Sequence, residues 1–201
     1  MSFNLKINWV GYALVVLIAI ICYRIYRESD TFNLKCIISG VDGNKYCVRE
    51  RNKLELAADR LADVNAGMHR LVEHLKTTYP DRANVKRLVK GYNPKQIYET
   101  LPTSEFTAYS QNKGEKMAFC LNDEKNSDNL IDPNTLMFVA LHELSHIATE
   151  SVGHKDEFWD NFKFLLGEAG QIGIYEQTDY KKKPVRYCGM DINDNPFFDW
   201  K

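Results

Sequence analysis

The chain of 201 residues reads as one α+β domain behind an N-terminal apolar helix. Three observations point there. Residues 7–23, INWVGYALVVLIAIICY, carry no charge and are almost wholly apolar. Beyond them, long stretches with apolar residues at helical spacing alternate with short runs broken by turn residues. Hydrophobic content of 44% and aromatic content of 12% are those of a packed body, which excludes disorder. The chain therefore divides into an anchor with its flanks, residues 1–30, and a globular domain, residues 31–201.

The apolar run is at the short end of the roughly 17–25 residues that span a bilayer. Trp9, Tyr12, Tyr23 and Tyr26 suit the two interfaces, and Lys6, Arg24 and Arg27 bound the segment. A cleaved signal peptide is the main alternative, but no small-x-small cleavage site follows; a buried core helix is the weaker one. The expectation is a single membrane-spanning anchor. Arg24, Arg27 and Lys35 outnumber Lys6, a slight bias towards a cytoplasmic body.

A hairpin is expected over residues 34–49, turning at Asp42-Gly43. A two-residue turn there sets Cys47 opposite Ile38, so no Cys36–Cys47 bridge is expected. Residues 51–78 form the longest helical pattern, with Leu54, Ala57, Leu61, Val64, Met68, Leu71, Val72 and Leu75 on one side and Pro80 as the stop. His69 and His74, five apart, fall on different faces and read as ordinary surface or core residues. A shorter helix is expected over 82–90, ending at Gly91, and Asn93-Pro94 opens a further helical turn through Glu99. Residues 105–121 read as a second hairpin joined by Asn112-Lys113-Gly114. It is either an ordinary core hairpin or an exposed edge on which an extended substrate can pair. After a polar loop and the helix described next, residues 156–169 make another amphipathic helix, burying Phe158, Trp159, Phe162, Leu165 and Leu166. The tail carries few helical or strand signals. Its basic run, Lys181–Lys183 with Arg186, reads as a solvated loop.

The five cysteines, Cys22, Cys36, Cys47, Cys120 and Cys188, contain no C-x-x-C pair, which argues against a zinc ribbon and for buried free thiols. The first 30 residues hold three basic and two acidic groups, leaving 23 basic and 25 acidic groups, net −2, in the body. Such a body has no electrostatic footprint for nucleic acid, and none is expected as a partner.

Chemistry concentrates in residues 132–159, DPNTLMFVALHELSHIATESVGHKDEFW. Asp132 is a good N-cap and Pro133 suits the first helical position. Within the helix lies His142-Glu143-Leu144-Ser145-His146, the H-E-x-x-H pattern of zinc peptidases. Residues four apart differ by about 40° around a helix, so the two imidazoles project together and can take two corners of a tetrahedral zinc site. Gly153 can turn the chain and bring His154 back as the third ligand. Asp156 and Glu157 are the substitutes should His154 not reach, while Glu150 lies about 12 Å along the axis from His142, too far for one metal. Three neutral imidazoles leave zinc an open position for water, and Glu143 is placed as the general base that activates this Zn-bound water against a peptide carbonyl. Tyr109, Tyr175, Tyr180 and Tyr187 are equal candidates for steadying the developing oxyanion.

The segment HELSHIATESVGHKDEFW resembles the zincins of the WLM and SprT-like group, with their H-E-L-x-H helix, a third histidine and then H-x-x-x-F, here His154 to Phe158. The stretches VDGNKYCVR, NKGEKMAFCL and RYCGM extend the likeness over residues 36–190, towards the WLM-like metallopeptidases of large DNA viruses. The resemblance implies a small α+β zincin with His142, His146 and His154 on Zn2+ and Glu143 as catalytic base. Residues 147–153 make the histidine spacing longer than the family's usual one, so the connecting loop differs. Some of these proteases digest DNA-crosslinked proteins; the slightly acidic, membrane-anchored body carries over the chemistry and not that role. The expectation is a single-pass, membrane-anchored zinc endopeptidase acting on protein or peptide substrates. The alternative is a structural or interaction protein, such as one of a virion membrane, that keeps zinc for stability.

Overall fold

The computed structural model describes residues 9–28 and 34–198. Lys6 and the first two residues of the apolar run lie outside the described residues. Helix α1, Trp9–Glu28, follows, and none of its window from Trp9 to Tyr26 is buried. Twenty residues at 1.5 Å each give about 30 Å, the thickness of a bilayer's hydrocarbon. Its solvent-facing apolar surface rules out a core helix of the body. It is long and apolar enough to cross a membrane, a test that a signal sequence also passes.

The body mixes a five-stranded sheet with helices. Strands β1 (Leu34–Ile38), β2 (Lys45–Arg49), β3 (Ile97–Glu99), β4 (Ala108–Gln111) and β5 (Lys116–Phe119) lie in the order β1-β2-β3-β5-β4. The two hairpin pairs are antiparallel, and β3 runs parallel to both β2 and β5. Helix α2 (Leu54–Thr78) crosses the sheet, burying Leu61, Met68, Leu71 and Leu75 on its expected face. Helix α3 (Ala83–Gly91) follows. Helices α4 (Pro133–Ala148) and α5 (Asp156–Gln171) pack on one another, and α2 and α3 also pack on α4. A small hairpin, β6 (Val185–Tyr187) with β7 (Met190–Ile192), closes the described chain.

Four expectations need correction. The first hairpin does not turn in two residues. Ser39 N–H donates to the Asn44 carbonyl, Asp42 accepts from Asn44 N–H, and Asp59 of α2 accepts from both the Ser39 hydroxyl and Gly40 N–H. These bonds build a four-residue loop over 40–43, and the register becomes Cys36 opposite Cys47. Those two cysteines are disulfide-bonded, as are Cys120 and Cys188, so the reading of buried free thiols fails; Cys22 is the free one. Residues 97–99 are the central strand of the sheet rather than a helical turn. The tail does contain strands, turned by Cys188 at φ 48° and Gly189 at φ 81° in the left-handed region that suits a two-residue hairpin.

The centre of the sheet holds a buried charge cluster. Glu99 accepts Arg49 N–H at 2.7 Å, lies 3.3 Å from the Arg49 Nε and pairs closely with Arg51. Arg49 and Arg51 also donate to the Thr100 carbonyl and to Asn122 Oδ1. Burial raises the Glu99 carboxyl, and the two guanidinium groups oppose that shift. Removing the shared carboxylate would leave two guanidinium groups buried without their partner. We expect Glu99→Ala to lose about 3–5 kcal/mol of stability in chemical denaturation; a loss under about 1 kcal/mol would mean that the cluster is dispensable.

Candidate metal centre

The site grows from helix α4. Asp132 caps it by accepting Thr135 N–H at 2.9 Å, with Pro133 in the first turn, as the sequence reads. Ser145 and Thr149 side chains bond back to the Leu141 and Ser145 carbonyls and continue the helix to its last turn. His142 and His146 stand on the one face that is only partly covered. The helix stops at Thr149, and Gly153, at φ 83°, makes the turn that delivers His154. Gly153 thus acts in the return loop and not as the helix's own cap.

The three imidazoles converge. His154 Nε2 lies 3.1 Å from His142 Nε2 and 3.1 Å from His146 Nε2, and the three potential ligand atoms all fall within 4.8 Å of one another. One ring nitrogen facing two others cannot satisfy both with a single proton. A cation between them resolves this. Zinc–nitrogen bonds of about 2.0–2.1 Å in a tetrahedron put ligand nitrogens about 3.3–3.4 Å apart, and the two separations at His154 fit such an ion. Burial holds His142 down at about 3, helped by the His146 and His154 imidazoles, and His146 at about 4, helped by His154 and the Lys113 ammonium, so both are neutral at pH 7.

Phe158 explains the aromatic position that follows the third histidine. Its fully buried ring packs against all three imidazoles, with centroid distances of 4.9 Å to His142, 4.4 Å to His146 and 4.5 Å to His154. Trp159, next on α5, lies 5.7 Å from His154 and stays partly exposed. The expected substitutes are otherwise engaged or outside the cluster: Glu157 accepts Arg87 at 2.8 Å and the N–H groups of Glu150 and Ser151. His74 bonds Glu168, and His69 stacks on Tyr92 at 6.4 Å, so neither joins the three.

Glu143 is 5% exposed and carries the strongest electrostatic perturbation among the site's acids. Burial pushes its carboxyl up to about 7, and the Ser110 backbone N–H opposes that shift. Ser110 belongs to β4, an edge strand of the sheet, so the hairpin 105–121 does lie against the histidine helix. The four tyrosines now separate. Tyr175 and Tyr180 pack on Phe138 in the core, with the Tyr175 hydroxyl accepting from Asn195. Tyr109 sits on β4 beside Phe106. Tyr187 is fully buried on β6; burial first, and the Glu143 charge after it, raise its phenol, and its hydroxyl donates to the Thr107 carbonyl at 3.3 Å. Sequence reasoning missed why it is there: the Cys120–Cys188 disulfide fixes the β6–β7 turn to the end of β5.

The uncharacterized protein R325 of Acanthamoeba polyphaga mimivirus is 27% identical over 187 residues, covering 90% of this chain and 94% of its own length. The uncharacterized protein 136R of Invertebrate iridescent virus 6 is 40% identical over 70 residues, 34% of this chain and 38% of that protein. Among solved structures, Wss1 from Saccharomyces cerevisiae aligns with a TM-score of 0.45 and 18% identity, over 62% of this chain and 84% of that one. Residues 82–196, from α3 through the last hairpin, match the WLM domain, and with more than half its length in that match the chain belongs to the WLM family.

Proposed function

We propose that the protein is a membrane-anchored, zinc-dependent endopeptidase, with His142, His146 and His154 as metal ligands and Glu143 as general base. The observation that carries the reading is the convergence of three imidazoles beside one sheltered carboxyl. Zinc in such a site supplies Lewis acidity, lowering the pKa of a water molecule to about 7 and polarising a peptide carbonyl. Glu143 takes the proton from the attacking water on a carboxylate oxygen and returns it to the leaving amide nitrogen. A polypeptide laid along the β4 edge would pass the histidines in extended form. Phe106, Val152, Trp159 and Met190 are exposed apolar side chains, with Phe106 beside Tyr109 of β4 and Trp159 beside His154. That setting suits an unfolded segment with bulky apolar residues.

Helix α1 would hold the body at a bilayer. Two disulfides in one body support a compartment that oxidises thiols. They outweigh the slight charge bias of Arg24, Arg27 and Lys35, because a difference of two charges orients a helix weakly.

The test uses the full chain in detergent micelles. About one zinc per chain is expected, together with cleavage of an unfolded protein that falls about 10²–10⁴-fold in Glu143→Gln while zinc content holds. Stoichiometric zinc without cleavage in either form would favour a structural role for the metal. Thiol labelling after denaturation without reductant should modify Cys22 alone. Labelling of Cys36 or Cys120 would overturn the oxidised assignment.

A further inference from the structure

Lys113 stands at the middle of the β4–β5 turn with φ 58°, between Asn112 at φ 48° and Gly114 at φ 103°. Two successive side-chain-bearing residues in the left-handed region are costly, so neighbouring contacts must hold the turn there. One such contact is a close backbone approach. A Cβ on Gly114 would run into the Gly91 carbonyl, a Cβ on Gly91 would run into the Lys113 carbonyl, and both would press on Ile147 of α4. The turn is thus seated between the end of α3 and the end of the histidine helix.

The second contact is made by the Lys113 ammonium. Its Nζ lies 3.0 Å from the His146 carbonyl oxygen, 2.7 Å from that of Thr149 and 3.2 Å from that of Ser151. A lysine has three N–H donors, and all three are used. The acceptors are carbonyls that the helix end leaves without intrahelical partners, together with one from the loop that returns to His154. A cation there also suits the negative end of the helix dipole. The opposite side of the same loop is braced by Glu157, which accepts Glu150 and Ser151 N–H, and by Arg87 on the Ala148 carbonyl at 2.7 Å. Residues 149–151 are therefore held by their carbonyls from the hairpin and by their N–H groups from α5.

We propose that Lys113 is a positioning residue for the third histidine: it fixes the departure of the return loop from α4, so that Gly153 delivers His154 to the other two imidazoles. This rests on the zinc reading above and deepens it. The connection over residues 149–153 needs such a clamp because each loop residue multiplies the conformations from which His154 must be drawn. The clamp also ties the metal helix to the hairpin whose edge faces Glu143, so the ligand set and the β4 edge keep one relative placement.

The experiment is a chelator competition for zinc alone, with the full chain in detergent micelles. Lys113→Met keeps the aliphatic stem and removes the donors; zinc affinity should fall about tenfold or more, the usual scale for losing a group that orients a ligand. Lys113→Arg, which retains donors, should recover most of that loss. In a His154→Ala background, Lys113→Met should change zinc affinity no further, since the residue through which it acts is gone. Circular dichroism of the zinc-free proteins reports folding, and Lys113→Gln carries the same comparison if the methionine variant does not fold. Unchanged affinity in the wild-type background would reduce Lys113 to a helix cap and overturn the proposal. An equal loss with and without His154 would also overturn it, by placing the effect on the helix end. If the wild-type chain binds zinc but Lys113 proves indifferent, the metal reading stands; if it binds none, that reading falls first.

Discussion

Helix α4 is buried around most of its circumference, and the histidine cluster depends on that burial. Of its sixteen residues only Pro133, Asn134, His142 and His146 escape full burial. Leu136, Ala140, Leu141, Leu144, Ile147 and Ala148 are held against α2, α3, α5 and the sheet. Each large apolar side chain there contributes about 1.5–3 kcal/mol relative to exposure. With the rotation of the helix fixed so firmly, the i, i+4 pair of imidazoles faces the one opening left, and Glu143 is turned inward to meet β4. A helix free to roll by one residue, about 100°, would carry both histidines away from His154.

The third histidine does not ride on that helix, and its placement is a separate achievement of polar contacts. Hydrogen bonds from Lys113, Arg87 and Asn161 and to Glu157 converge on residues 148–151, while Phe158 supplies the wall against which all three rings rest. Asn161 is itself held by Asn84 of α3 at 2.8 Å. A metal held by these three would take two ligands from a rigid element and one from a loop stiffened by its surroundings. The Cys120–Cys188 disulfide does comparable service for the last hairpin, which it keeps, with Tyr187, against the end of β5.

Much of this could be read from the residues. Long periodic stretches such as 54–78 and the capped start at Asp132-Pro133 announce helices because burial and capping act locally along the chain. The H-E-x-x-H spacing and the turn signal at Asn112-Lys113-Gly114 are equally local. What escaped was set by distant partners. Residues 97–99 form a strand because β2 and β5 flank them and because Glu99 neutralises Arg49 and Arg51, none of which shows in a three-residue window. The first hairpin took a longer loop because Asp59, on another element, bonds Ser39 and Gly40. That shift of register turned Cys47 from Ile38 to Cys36 and made the disulfide. Tyr187 was indistinguishable from three other tyrosines until the Cys120–Cys188 bridge and the β6–β7 turn held it, buried, against Thr107.

The central claim is that one cation sits among three imidazoles. Zinc K-edge X-ray absorption on the full chain addresses it without relying on activity. The account requires a first shell of nitrogen and oxygen only, at about 2.0–2.1 Å, with the multiple-scattering signature of three imidazoles. A sulfur shell at about 2.3 Å, or a zinc-free protein after purification in the presence of zinc, would contradict it.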